Sequence, residues 1–167
     1  MKKSVYLTLA LLVVACSGTK STTGIPGKKT LKGTWQVSNI RFVGDKGLYK
    51  ANMFDFADSA CFKGSEWVFI PNNGSGKFTT SANGSQCGVN SSRFHWSYFD
   101  AGEGKTQFQF YLTDAKGKRI DAAKSGYRAN IDSLDDSSMV MRVPTTYQGN
   151  PFDVVMTFSK VSDNVTL

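Results

Sequence analysis

Few residues in this chain could do chemistry. His95 is the single histidine, set among aromatics in Arg93-Phe94-His95-Trp96 with no serine or cysteine motif attached. A general base needs a hydrogen-bonded partner and an oriented substrate, and neither is written around it. Asp132, Asp135 and Asp136 look like paired carboxylates, yet they cluster at a turn, where aspartate is favoured for local hydrogen bonding. No glycine-rich phosphate loop leads into a helix. The three cysteines lack the Cys-x₂-Cys or Cys/His spacing of a zinc site. The sequence therefore predicts no enzyme, no metal and no cofactor. What remains with chemical content is Cys16, Cys61, Cys87 and a large set of aromatics.

Cys16 ends a targeting segment. Lys2 and Lys3 make a basic start, and Val5 to Ala15 is an apolar run too short for a permanent membrane span. The run closes on Val13-Val14-Ala15-Cys16, which resembles the lipobox of bacterial lipoproteins. That resemblance implies removal of residues 1–15 and acylation of Cys16, with palmitate among its acyl chains; the alternative is an ordinary signal peptide with a chance cysteine. Several chains anchor far more firmly than one, at about 0.8 kcal/mol per buried CH₂. The expected mature protein is held to the lipid bilayer through Cys16. Ser17-Gly18-Thr19-Lys20 has no aspartate after the cysteine, which by analogy with enteric bacteria favours the outer membrane of the cell envelope. In the segment 16–30, the residues after Cys16 are Ser, Thr, Gly and Lys with Pro26, and Ile25 is the only large apolar residue. Such a segment buries too little to offset its ordering entropy, so it reads as a tether.

The 152 residues left suit one domain with a real core. The formal charge of +7 falls to +5 without Lys2 and Lys3, and Lys20, Lys28, Lys29 and Lys32 lie in or beside the tether. This argues against a nucleic-acid partner and is explained by a basic segment near a membrane. A monomer is expected.

The aromatics recur at strand spacing. Gly33-Thr34-Trp35 opens a first strand running to about Val43. Its apolar phase shifts near Ser38-Asn39, as a β-bulge would cause. Gly44-Asp45-Lys46-Gly47 is a turn signal. In residues 48–62 Met53, Phe54, Phe56, Ala57 and Ala60 fall near helical spacing, which predicts a short helix or ordered loop over one barrel mouth. Further strands follow at 66–70, 76–81, 93–99, 107–112, 127–132, 138–144 and from Phe152 past Phe158. Phe94, Trp96 and Tyr98 share one face, as do Phe108, Phe110 and Leu112, then Met139, Met141 and Val143. Eight strands joined mostly by short loops predict an all-β, eight-stranded antiparallel up-and-down barrel over residues 31–162.

After removal of the leader, Cys61 and Cys87 are an even pair in an exported chain, which favours a disulfide over two free buried thiols. Gly74 is midway between them, at the centre of the Pro71–Ser75 hairpin loop, so an antiparallel register about Gly74 would set them directly opposite. Bridging a loop of about 27 residues is worth roughly 3.5 kcal/mol in the chain-entropy model.

Leu31-Lys32-Gly33-Thr34-Trp35, the cysteine pair, and the final Ile131–Met141 and Val154–Val161 stretches together resemble the lipocalin-like lipoproteins of bacteria, above all those of Bacteroidetes. The resemblance covers about residues 31–161. It implies the barrel, a pocket for a small apolar or amphipathic ligand, and a cation near the end of the last strand packed on the first-strand tryptophan, for which Lys160 is the nearest match. An eight-stranded barrel is wide enough either to be filled by its side chains or to hold one small ligand. If it holds one, the lining is Trp35, Phe94, Trp96, Tyr98, Phe108, Phe110, Met139 and Met141. The competing functions are a ligand carrier and a protein-binding envelope lipoprotein with a filled barrel. Asp58-Ser59-Ala60 and Asp132-Ser133-Leu134 also resemble the O-glycosylation acceptor of Bacteroidetes envelope proteins, beside the plainer reading of Asp-Ser turns.

Overall fold

A computed structural model describes residues 27–44, 51–103, 106–121 and 124–167. The leader, Cys16, the tether as far as Pro26 and the Asp45–Gly47 turn lie outside the described residues. In chain order the strands are β1 (Gly33–Gly44), β2 (Asn52–Met53), β3 (Ala57–Asp58), β4 (Glu66–Ile70), β5 (Ser75–Thr79), β6 (Ser91–Asp100), β7 (Thr106–Thr113), β8 (Tyr127–Leu134), β9 (Ser138–Tyr147) and β10 (Asn150–Ser162). β2 and β3 make a small separate hairpin, and the other eight close into the expected antiparallel up-and-down barrel.

Alternation decides which side chains fill it. In β6 and β7 Phe94, Trp96, Phe108, Phe110 and Leu112 are buried, while His95, Gln107 and Gln109 turn outward. The phase shift in β1 is a register shift against β10 between Val37 and Asn39, where a bulge was expected.

Closure depends on β1, which pairs with β10 on one side and β4 on the other. Trp35 stands opposite Lys160 and opposite Trp67. Its indole N–H donates to the Leu31 carbonyl at 3.0 Å, and the Lys160 ammonium lies 5.6 Å from its ring centroid. Gly33, at φ 130°, has its backbone against β10, where a Cβ would overlap the Ser162 carbonyl oxygen. Only glycine suits both the dihedral and the space. A 3₁₀ turn over Lys28–Leu31 buries Leu31 against the core at this end of the barrel.

The interior is filled by rings and methionines. Phe69 meets Phe94, Trp96 and Phe108 at centroid distances of 5.7, 5.9 and 5.7 Å, in the edge-to-face arrangement that aromatic quadrupoles favour. Met139, Met141, Met156 and Phe158 occupy the opposite wall, all buried. At the far end the segment from Ala51 to Phe62 forms the expected cover, as the β2–β3 hairpin followed by a 3₁₀ turn over Ser59–Phe62.

The Cys61–Cys87 disulfide forms, with Cα atoms 5.2 Å apart, but not as the cross-strand pair that the spacing suggested. The β4–β5 register runs from Glu66↔Thr79 to Ile70↔Ser75; carried outward, it would set Cys61 against Gly84. The cysteines meet because both have left the ladder: Cys61 lies in the 3₁₀ turn and Cys87 in the irregular connection to β6. The bond fastens the cover to the connection between β5 and β6. Replacing both cysteines by serine is expected to cost roughly 3.5 kcal/mol, and Trp96→Ala about 3–5 kcal/mol as a large-to-small core change. Urea unfolding monitored by tryptophan fluorescence measures both.

Candidate ligand cleft

The barrel wall is not continuous between β8 and β9. The first half of β8 pairs with β7, from Gln107↔Asn130 to Phe110↔Tyr127. Pairing of β8 with β9 begins only at Asn130↔Arg142 and runs the other way, toward Leu134↔Met139. Continued past Asn130, the ladder would join Ala129 to Val143, Arg128 to Pro144 and Tyr127 to Thr145. None of these pairs forms. The six residues instead line the two sides of a cleft of about 650 Å³. Pro144 fits such an edge, because it has no N–H to give to a neighbouring strand.

Ala129, Val143 and Val154 make an apolar floor, with Met53 and Phe54 reaching in from the cover. Asn52, Asp55, Gln107, Arg128, Asn130 and Thr145 make a polar rim. The Gln107 amide donates to the Asn130 side-chain oxygen at 3.3 Å, and the Arg128 guanidinium rests 5.3 Å from the Phe99 ring centroid. An apolar floor with a few convergent polar groups is the usual character of a small-molecule site, and the volume is within the usual range.

The cover meets the cleft at a tight turn. The Phe56 N–H donates to the Met53 carbonyl at 3.0 Å, and Phe54 and Asp55 between them have φ of 60° and 49°, a type I′ geometry. Aspartate tolerates that region; a phenylalanine there is an outlier, costing about 1–3 kcal/mol. What offsets it is burial of the ring, worth about 1.5–3 kcal/mol. Phe54 is 5% exposed and packs edge-to-face on Phe110 at 4.9 Å, Phe62 at 5.5 Å and Tyr127 at 5.6 Å. The Tyr127 hydroxyl donates to the Asp55 carboxylate at 3.2 Å. Cost and gain are of similar size, so the turn is held by a narrow margin.

The sequence profile of the lipocalin-like domain matches residues 31–141. The chain belongs to the lipocalin-like domain family. Among solved structures it is similar to bovine odorant-binding protein in complex with a selenium-containing odorant, at 15% identity over 86% of this chain and 76% of that chain, with a TM-score of 0.44. It is likewise similar to the odorant-binding protein from bovine nasal mucosa, at 15% identity over 83% and 75%, with a TM-score of 0.41. No curated protein matches the sequence.

Within this lipocalin-like barrel, Trp35, Phe94, Trp96, Phe108, Phe110, Met139 and Met141 are brought together in the packed interior. None of them borders the cleft. Tyr98 packs against them through Trp96 at 5.5 Å; its hydroxyl is buried with no hydrogen-bond partner among the described residues, and burial raises its pKa. Lys160 is on Trp35 as the resemblance implied. His95 is on the outer face, its Nδ1 at 2.8 Å from the Gly74 carbonyl. Asp132 pairs with Arg142, which also reaches Asp153. Asp135 accepts hydrogen bonds from Ser138 and Ser137, which hold its carboxyl well below the usual carboxylate range. Of the two serines in glycosylation-like motifs, Ser59 is 1% exposed and Ser133 lies exposed at the β8 register shift.

Ala129, Val143, Tyr127 and Asp55 were not legible as site residues. The one available signal was Pro144, a proline inside a strand pattern, which marks an unpaired edge.

Tyr127 offers a spectroscopic handle on its bond to Asp55 in this turn. Its pKa is pushed up to about 12, first by burial and then by the Asp55 charge. A raised phenol pKa means that the stabilising contribution is whole below the unfolded value of 10.0 and is lost as pH rises through about 12. Alkaline ultraviolet titration is expected to show a tyrosine component near that upper value, and Tyr127→Phe to remove it.

Proposed function

We infer that this chain is a bacterial envelope lipoprotein of the Bacteroidetes lipocalin-like type, anchored through Cys16 at the outer membrane, whose barrel binds a small amphipathic molecule. The carrying observation for binding is the cleft between β8 and β9, with its apolar floor and polar rim. The interior supports placing the ligand there, since rings and methionines already occupy the barrel axis. An apolar tail would lie on Ala129, Val143 and Val154, and a polar head would reach the amides of Asn52, Gln107 and Asn130 or the charges of Asp55 and Arg128. The reading assigns the protein no catalytic step. The anchor is supported by the order of basic start, short apolar run, small residue and cysteine.

A second reading is a partner-binding accessory lipoprotein. The filled interior favours it, together with Phe42 and Tyr147, which are 41% and 36% exposed near the β9–β10 end of the barrel.

Two experiments test these statements. A fluorescent fatty-acid analogue is expected to bind saturably, and Thr145→Trp, which fills the cleft from its rim, to weaken that binding about tenfold or more, a loss of about 1.4 kcal/mol. Absence of saturable binding across lipid, haem and sterol probes would retire the carrier reading and leave partner binding. Separately, Cys16→Ala is expected to leave the membrane fraction or remain unprocessed; unchanged processing and fractionation would contradict the anchor.

A further inference from the structure

We propose that the Phe54 side chain occupies a ligand subsite, and that a single aromatic ring bearing one hydrogen-bonding group, a simple phenol, takes its place when the Phe54–Asp55 turn withdraws. This rests on the cleft reading above and narrows the ligand to molecules with an aromatic end.

The argument starts from the turn. Phe54 has a left-handed backbone that suits glycine, asparagine or aspartate, so withdrawal relieves strain while removing the ring from its contacts. The hairpin behind it is small, with only the pairs Asn52↔Asp58 and Met53↔Ala57. Just beyond, the chain is fixed by the Ser59 N–H to Ala51 carbonyl bond at 2.8 Å and by the Cys61–Cys87 disulfide. Motion is thereby confined to the tip. The tip is thus a short element between fixed ends, joined to them by two backbone pairs.

What the ring leaves behind is specific. Phe62, Trp67, Phe110 and Tyr127 surround it at centroid distances of 5.5, 6.1, 4.9 and 5.6 Å. Another ring of the same size would meet the same edges and faces. Asp55 moves with the turn, so the Tyr127 hydroxyl loses its acceptor and becomes available to the polar group of the incoming ring. Phe54, Asp55 and Tyr127 all line the cleft, so the vacated space opens directly into it.

The test is a titration of the mature protein with p-cresol, following the wild type and Phe54→Gly by calorimetry and by amide NMR. Glycine keeps the left-handed turn while deleting the ring. Phe54→Gly is expected to bind p-cresol about tenfold or more tightly than the wild type, because no ring has to be displaced first. In the wild type, saturating p-cresol is expected to shift the amide resonances of Phe54 to Phe56. Equal affinities in the two proteins, or wild-type binding that leaves those amides unmoved, would overturn the proposal; the second readout stands even if the variant does not fold. The fatty-acid analogue separates the two ideas. If the analogue binds and p-cresol does not, the subsite falls and the cleft stands; if p-cresol binds Phe54→Gly more tightly while the analogue does not bind, the reverse holds.

Discussion

A sheet of eight strands has two edges unless its first and last strands find each other, and here β1 must satisfy β10 and β4 at once. That double pairing is concentrated at Gly33 and Trp35. The glycine lets the β1 backbone come against Ser162 where no side chain fits. Trp35 pairs with Lys160 on one side of the seam and Trp67 on the other, and its indole is held by the Leu31 carbonyl and covered by Lys160. Closure pairs every barrel strand on both sides, save where the upper halves of β8 and β9 part, and the alternation of every other strand follows from it, because a closed wall has only an inside and an outside.

The inside is crowded. Trp67, Trp96 and the phenylalanines of β4 to β7 meet at ring distances of 4.8 to 5.6 Å, which leaves side chains where a wider barrel would have a chamber. The open volume moves to the wall. β8 leaves β9 after Asn130↔Arg142 and turns its first half to β7, so the barrel gives up three pairs and gains a cleft. This arrangement leaves the aromatic core packed and sets the buried side chains of Ala129, Val143 and Val154 at the floor of the cleft. It also explains why the cover matters: Phe54 separates that surface from Trp67 and Phe110.

Much of the fold was legible in the sequence because it rests on a period of two. The inward series Phe94-Trp96-Tyr98 and Phe108-Phe110-Leu112, the bulge after Val37 and the eight-strand count all follow from side-chain alternation. The cleft was not legible, because it depends on where two ladders stop, which the side-chain pattern of β8 does not record. The disulfide was legible as a pairing, through even cysteine number and export, but its geometry was not. A register centred on Gly74 differs from the real one, centred between Asn72 and Asn73. The cover was misleading in a different way. Met53, Phe54, Phe56, Ala57 and Ala60 mimic helical spacing, whereas the chain forms a hairpin through a left-handed phenylalanine that local preference argues against.

The central claim is that the ligand lies in the wall and not along the barrel axis. Anomalous diffraction from crystals grown with a brominated fatty acid tests it most directly, because bromine positions are located without reference to the protein chain. The expected result is bromine density beside Ala129, Val143 and Val154. Bromine between Trp96, Phe108 and Met141, with those side chains displaced, would contradict it.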